Sequence, residues 1–407
     1  MPIQSSSAMR WRVLAISIAA SAVCVSWLMR LRRPPDSDEL VAMSEEVREL
    51  YSRRVHTDPT PASARTGADF PPVLVREPLD EDTATLFFPE IGHNADFDEL
   101  MYCRRPPNLS VWRELPEHPG GGFLRRTNSL GMREDTEPLA TKPDWRILVT
   151  GASNIEGVCA NEESVANVLE KMLSERMPGA TVEALNAGCG AYNLYNDLGV
   201  LERYRDLHPD VFVLAVYGGN DFFGCARLER YFDHRGAAET GPYENTRLED
   251  LDPFTRSIRA TEFAQVTYFL NNPDDVEVVI GIACALTAEM ERVCGAQGTR
   301  LVCAYLPPPL QGQPEILAAT RAVVLERLQL SADDLAVSDR IADRWLAFAA
   351  GRGIAHVDLR PVFRASRERL YWNTNAHINV IGQRVIAEAL LPLVAPRAGA
   401  VINGAPR

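Results

Sequence analysis

Ile147-Leu148-Val149-Thr150-Gly151-Ala152-Ser153 joins a short apolar run to a serine, and a helical pattern begins shortly afterwards. A run this short and β-branched reads as a buried strand. A serine just past its end sits where open α/β sheets place their working crevice, outside the carboxyl ends of the strands. Four further runs of the same kind occupy 181–186, 211–217, 300–306 and 354–358, and the first itself covers 145–150. Amphipathic stretches at 162–176, 193–206, 276–297, 335–351 and 380–394 alternate with them. Five strands separated by helices predict an α/β protein with a five-stranded parallel sheet covered on both faces.

Outward from this core the pattern changes. Residues 222–275, rich in charge and aromatic side chains, read as an insertion able to form a wall or lid, and 309–334 as a smaller one. Residues 73–140 read as a small, partly β lead-in region, with strands at 72–75 and 84–88 and a turn at Pro119-Gly120-Gly121-Gly122. Residues 34–72 read as a linker, 141–396 as the main domain and 397–407 as a tail. Val13 to Met29 carries no charge and is flanked by Arg10 and Arg12 before it and by Arg30, Arg32 and Arg33 after it. Residues 1–33 therefore read as a membrane anchor, with a cleaved signal segment as the alternative. The expected location is membrane-anchored through 13–29, with the main domain extracytoplasmic.

Composition excludes some classes. Hydrophobic residues make up 46% of the 407-residue chain and charged residues 24%, the proportions of a globular protein with a sizeable core. The net charge of −13 argues against binding a nucleic-acid backbone, which needs a concentrated basic face. The eight cysteines include no C-x-x-C pair, and no His/Cys/Asp cluster has metal spacing, so no metal is expected. No phosphate-cradling glycine loop follows the first strand, and no cofactor is expected.

Ser153 admits two readings, a nucleophile or a helix cap. Three other polar signals fall at strand ends. Gly190 closes Asn186-Ala187-Gly188-Cys189-Gly190, and Asn220 lies in Tyr217-Gly218-Gly219-Asn220-Asp221. A glycine N–H and an asparagine amide both suit an oxyanion hole, although each also fits an ordinary turn. His377, in Tyr371-Trp372-Asn373-Thr374-Asn375-Ala376-His377, precedes the last helical pattern and supplies a base that titrates near neutral pH. Asp358 is a second available acid or a strand-end turn residue.

In this order the residues resemble the SGNH, or GDSL-type, hydrolase superfamily over about 145–395, with Asn128-Ser129-Leu130-Gly131-Met132-Arg133 similar to a lead-in of some members. The resemblance implies a flavodoxin-like three-layer α/β/α sandwich. It implies Ser153 as nucleophile, His377 as its base, and an oxyanion hole from the N–H groups of Ser153 and Gly190 and the amide of Asn220. The chain departs from the family twice. Ala152 replaces the aspartate of Gly-Asp-Ser, and Asn375 and Thr374 stand where the acid that orients the histidine is found. An asparagine carbonyl still accepts a hydrogen bond from an imidazole but offers no charge. The implied function is a serine esterase, or an O-acyltransferase, acting on an ester of a glycan, lipid or small molecule. The alternative is a degenerate member that binds or assembles envelope material without turnover.

Overall fold

A computed structural model describes residues 78–239 and 251–397. The lead-in begins with helix α1 (Glu81–Phe87), where a strand is expected at 84–88. The correction has a local cause. Asp80 caps the helix by accepting from the Thr83 N–H at 2.7 Å, and Glu81 and Asp82 place negative charge in its first turn. Two antiparallel pairs follow: β1 (Asp96–Asp98) with β2 (Tyr102–Arg104), and β3 (Ser110–Glu114) with β4 (Gly122–Arg126). The expected turn at 119–122 closes the second pair.

The main sheet starts with β5 (Trp145–Gly151), followed by the one-turn helix α2 (Ser153–Glu156) and helix α3 (Val165–Arg176). Strand β6 (Val182–Asn186), helix α4 (Leu194–Arg203) and strand β7 (Val211–Tyr217) come next. The described part of the segment expected as an insertion is largely helical: α5 (Asp221–Phe232), α6 (Pro253–Ile258), a π-helical turn at Arg259–Phe263, and α7 (Ala264–Asn271). Helix α8 (Asp274–Gln297) leads to β8 (Arg300–Leu306). Helices α9 (Pro309–Gly312), α10 (Ala318–Leu328) and α11 (Ala336–Gly351) precede β9 (Ala355–Asp358). Helices α12 (Arg360–Ala365) and α13 (Val380–Val394) follow.

The five main strands are all parallel, in the order β6-β5-β7-β8-β9. In chain order this is 2-1-3-4-5, the flavodoxin-like arrangement, whose order reverses between β5 and β7. Every residue of β7 is buried, as a central strand covered on both faces requires. Helices α3 and α13 pack together on one face, and α4, α8 and α11 on the other. The last residue of β5, Gly151, has to be glycine, because a Cβ there would lie 2.5 Å from the Ala215 carbonyl oxygen of β7. The chain can therefore turn sharply out of the sheet at Ser153, at the switch point.

Among the described residues no helix is long and apolar enough to cross a membrane. The expected anchor at 13–29 and linker at 34–72 lie outside the described residues, as does the expected strand at 72–75. The seven described cysteines are free thiols.

Candidate active site

Ser153 opens α2, so its backbone N–H has no acceptor within the helix. Ala152, at the preceding position, makes no side-chain cap. The Ser153 hydroxyl faces His377 instead: Oγ and Nε2 are 3.0 Å apart, within hydrogen-bond reach although the two residues are 224 positions apart. On the far side of the ring, Nδ1 lies 3.2 Å from Oδ1 of Asn375. The same Oδ1 accepts the His377 backbone N–H at 3.0 Å. A backbone N–H can only donate, which fixes the amide orientation and makes Oδ1 the acceptor for both groups. Nδ1 therefore carries the imidazole proton, and Nε2 is left as the acceptor for the Ser153 hydroxyl. Burial lowers the His377 pKa, with the nearby carboxylates of Glu156 and Glu90 pulling it partly back. The ring is neutral at pH 7.

The loop that carries His377 is a small hairpin. Tyr371 bridges Ile378, and the Trp372 N–H donates to the His377 carbonyl at 3.0 Å. Hydrogen bonds from the serine turn, α6 and the β3–β4 connection hold it in place. Asn154, next to the serine, accepts the Ile378 N–H through Oδ1 at 2.9 Å, and its carbonyl accepts the Gln383 amide at 2.7 Å. The Trp372 indole donates to the Val158 carbonyl at 3.0 Å. Ser257, on α6, accepts the Ala376 N–H through its hydroxyl oxygen at 2.9 Å. Glu117, in the β3–β4 connection, accepts both N–H groups of Asn373 and Thr374 and the Thr374 hydroxyl. Asn154, Gln383, Glu117 and Ser257 carry no motif that marks them as part of the site in the sequence. A polar residue directly after the candidate serine was the one local signal available.

Arg133, the end of the lead-in motif, is fully buried beneath this turn. Its guanidinium donates to the carbonyls of Glu156, Gly157 and Cys159, and its Nε donates to Asn161 at 2.9 Å. One side chain thus ties down the segment that leaves α2.

The Gly190 loop is placed by the sheet. The Ala187 N–H donates to Val149 and the Cys189 N–H to Gly151. Gly188 passes so close that a Cβ would lie 2.7 Å from the Glu156 nitrogen. The expectation of a free Gly190 N–H is corrected: it donates to Glu156 Oε2 at 2.7 Å. That carboxylate is buried and held in a two-pronged pair by Arg105, at 2.8 and 2.7 Å, with Arg125 donating at 2.8 Å. Burial alone would raise its pKa; Arg105 and Arg125 outweigh burial and hold it well below the usual carboxylate range.

Asn220 leaves β7 at the same end of the sheet. It sits half-buried at the start of α5, its carbonyl accepting the Gly224 N–H at 2.8 Å, while its Oδ1 is buried without a partner among the described residues. Asp358 pairs with Arg360 at 2.8 to 3.0 Å, and the His377 Nδ1 faces Asn375 instead. Among the described residues no group of acidic, histidine and cysteine side chains could hold a metal.

No protein-family model and no curated protein sequence matches the chain. Solved structures do. A GDSL-like lipase from Bacteroides thetaiotaomicron is 11% identical, covering 62% of this chain and 91% of its own, with a TM-score of 0.34. TesA is 14% identical over 61% and 96%, at 0.35. An acetylxylan esterase from Geobacillus stearothermophilus is 12% identical over 62% and 95%, at 0.36.

Proposed function

We propose that the chain is a serine ester hydrolase of the GDSL type in which Ser153 attacks the ester carbonyl. The observation that carries this is the line Ser153 Oγ–His377 Nε2–Asn375 Oδ1, with spacings of 3.0 and 3.2 Å and the tautomer set by Asn375. His377 takes the hydroxyl proton as Oγ attacks, then delivers it to the leaving alcohol. Water then releases the acyl group, His377 again serving as base; an acceptor hydroxyl in place of water makes the same intermediate an O-acyltransferase. The N–H of Ser153 and the Asn220 amide serve the oxyanion. Gly190 contributes only when its N–H is released from Glu156. Asn375 orients the imidazole but leaves the developing imidazolium without a carboxylate beside it, so the expected turnover is slow. A short acyl group on a glycan, lipid or small alcohol is the expected substrate.

A non-catalytic binding role is the second reading, favoured by Asn375 and by the occupied Gly190 N–H. Hydrolysis of 4-nitrophenyl acetate by the wild type, compared with Ser153→Ala and His377→Ala, separates the two. The account expects turnover in the wild type and loss of at least about a thousandfold in each variant. Equal rates in all three folded proteins leave only the binding role.

A further inference from the structure

Beside the serine turn lies a set of charges that the proposed reaction does not use. The inward face of the β3–β4 hairpin carries Arg113 and Arg125, since Val111 pairs with Arg125 and Arg113 with Phe123. Both guanidiniums face the cluster formed by Arg105, Glu156 and Glu90. The side chain of Arg125 is only 9% exposed, yet among the described residues only its Nη1 has an acceptor, Glu156, and its Nε and Nη2 have none. Half-buried Arg113 makes one long contact, 3.3 Å to the Asn94 amide oxygen. Buried guanidinium donors without acceptors are costly. Three guanidiniums against two carboxylates leave one positive charge uncompensated.

One of those carboxylates is half-exposed. Glu90 pairs with Arg105 while its side chain is 47% exposed. Its Oε1 comes within 3.9 Å of the place a Cβ on Gly190 would occupy, over the loop at the serine turn. A planar guanidinium fork matches a carboxylate.

We propose that Arg105, Arg113 and Arg125 form an anion subsite next to the Ser153–His377 pair, which receives a carboxylate of the ester substrate, with Glu90 occupying it until the substrate arrives. The substrate role rests on Ser153 being the nucleophile; the binding itself does not. Calorimetric titration of succinate into Ser153→Ala therefore tests binding without turnover. Adding Arg113→Gln weakens binding about tenfold, and adding Glu90→Gln tightens it by a similar factor. In the Ser153-containing protein, Arg113→Gln lowers the ratio of kcat/KM for 4-nitrophenyl hemisuccinate over 4-nitrophenyl acetate about tenfold. Circular dichroism checks that each variant is folded. Absent succinate binding, or binding indifferent to Arg113, overturns the proposal whether or not esters are hydrolysed. Inorganic phosphate binding more tightly than succinate overturns the carboxylate assignment. Succinate binding that responds to both variants, in a protein that hydrolyses no ester, upholds the subsite and removes the hydrolase reading alone.

Discussion

Asn375 sets the strength of the base. Its Oδ1 accepts two N–H groups of His377, a geometry that an aspartate carboxylate could reproduce while adding a charge. Asn375→Asp is therefore expected to raise kcat for ester hydrolysis by at least about tenfold, in the reverse sense of the loss seen when a triad aspartate is amidated. The same change shifts the pH profile. In the wild type, burial lowers the His377 pKa, so the acid limb of kcat/KM falls below the ordinary histidine value of about 6.5. A carboxylate at 375 favours the imidazolium and moves that limb to higher pH. An unmoved limb and an unchanged kcat in Asn375→Asp would mean that 375 does not act on the ring. At this scale Ser153 and His377 were legible because they stand beside a strand end and a helix start, whereas Asn375 came into view only through the family resemblance. Gly190 stands past a strand end in the same way, yet its N–H is taken by a side chain that lies one helical turn past the serine, a contact no local pattern announces.

The two loops that meet at the site are joined through Asn154. Its side chain satisfies the buried Ile378 N–H next to His377, and its backbone holds Gln383 at the start of α13. Asn154→Ala leaves that N–H without a partner, which costs about 1–3 kcal/mol of stability. It also frees the histidine loop, so kcat falls at least about tenfold while KM for a small ester changes little. Equal kcat in the wild type and the variant, with stability reduced, would assign Asn154 a purely structural role. The strands of the main sheet were legible because each is an unbroken apolar run buried on both faces, as in Val211–Tyr217. Helix α1 was misread because Leu86-Phe87-Phe88 suits a strand by composition, whereas the Asp80 cap and the acidic first turn favour a helix. Glu117 was out of reach for a different reason. It clamps Thr374 from 257 positions away, and no local pattern announces such a contact.

At the scale of the whole molecule, and among the described residues, the carboxyls of Asp197 and Asp221 are buried without a cation beside them. Asp197 is the clearest: Oδ1 accepts the Thr150 hydroxyl at 2.7 Å, and Oδ2 has no partner. Burial pushes its pKa up to about 8. In the folded chain it holds a proton that the unfolded chain releases near pH 4. Its contribution to stability is thus full below about pH 4 and is lost as the pH rises through about 8. Denaturant unfolding at pH 5 and pH 8 should show wild-type stability dropping between the two, and Asp197→Asn should shrink that drop. A drop of the same size in the variant would show that Asp197 is ionised in the folded state.

The claim on which the rest depends is that Ser153 is a nucleophile activated by His377. Intact-mass spectrometry after exposure to a fluorophosphonate measures this directly, because the reagent bonds only to an activated serine. The expected result is one adduct on the wild type, mapped to Ser153, with none on Ser153→Ala and a strongly slowed reaction on His377→Ala. A folded wild-type protein that gains no mass, or an adduct that persists in Ser153→Ala, would contradict it.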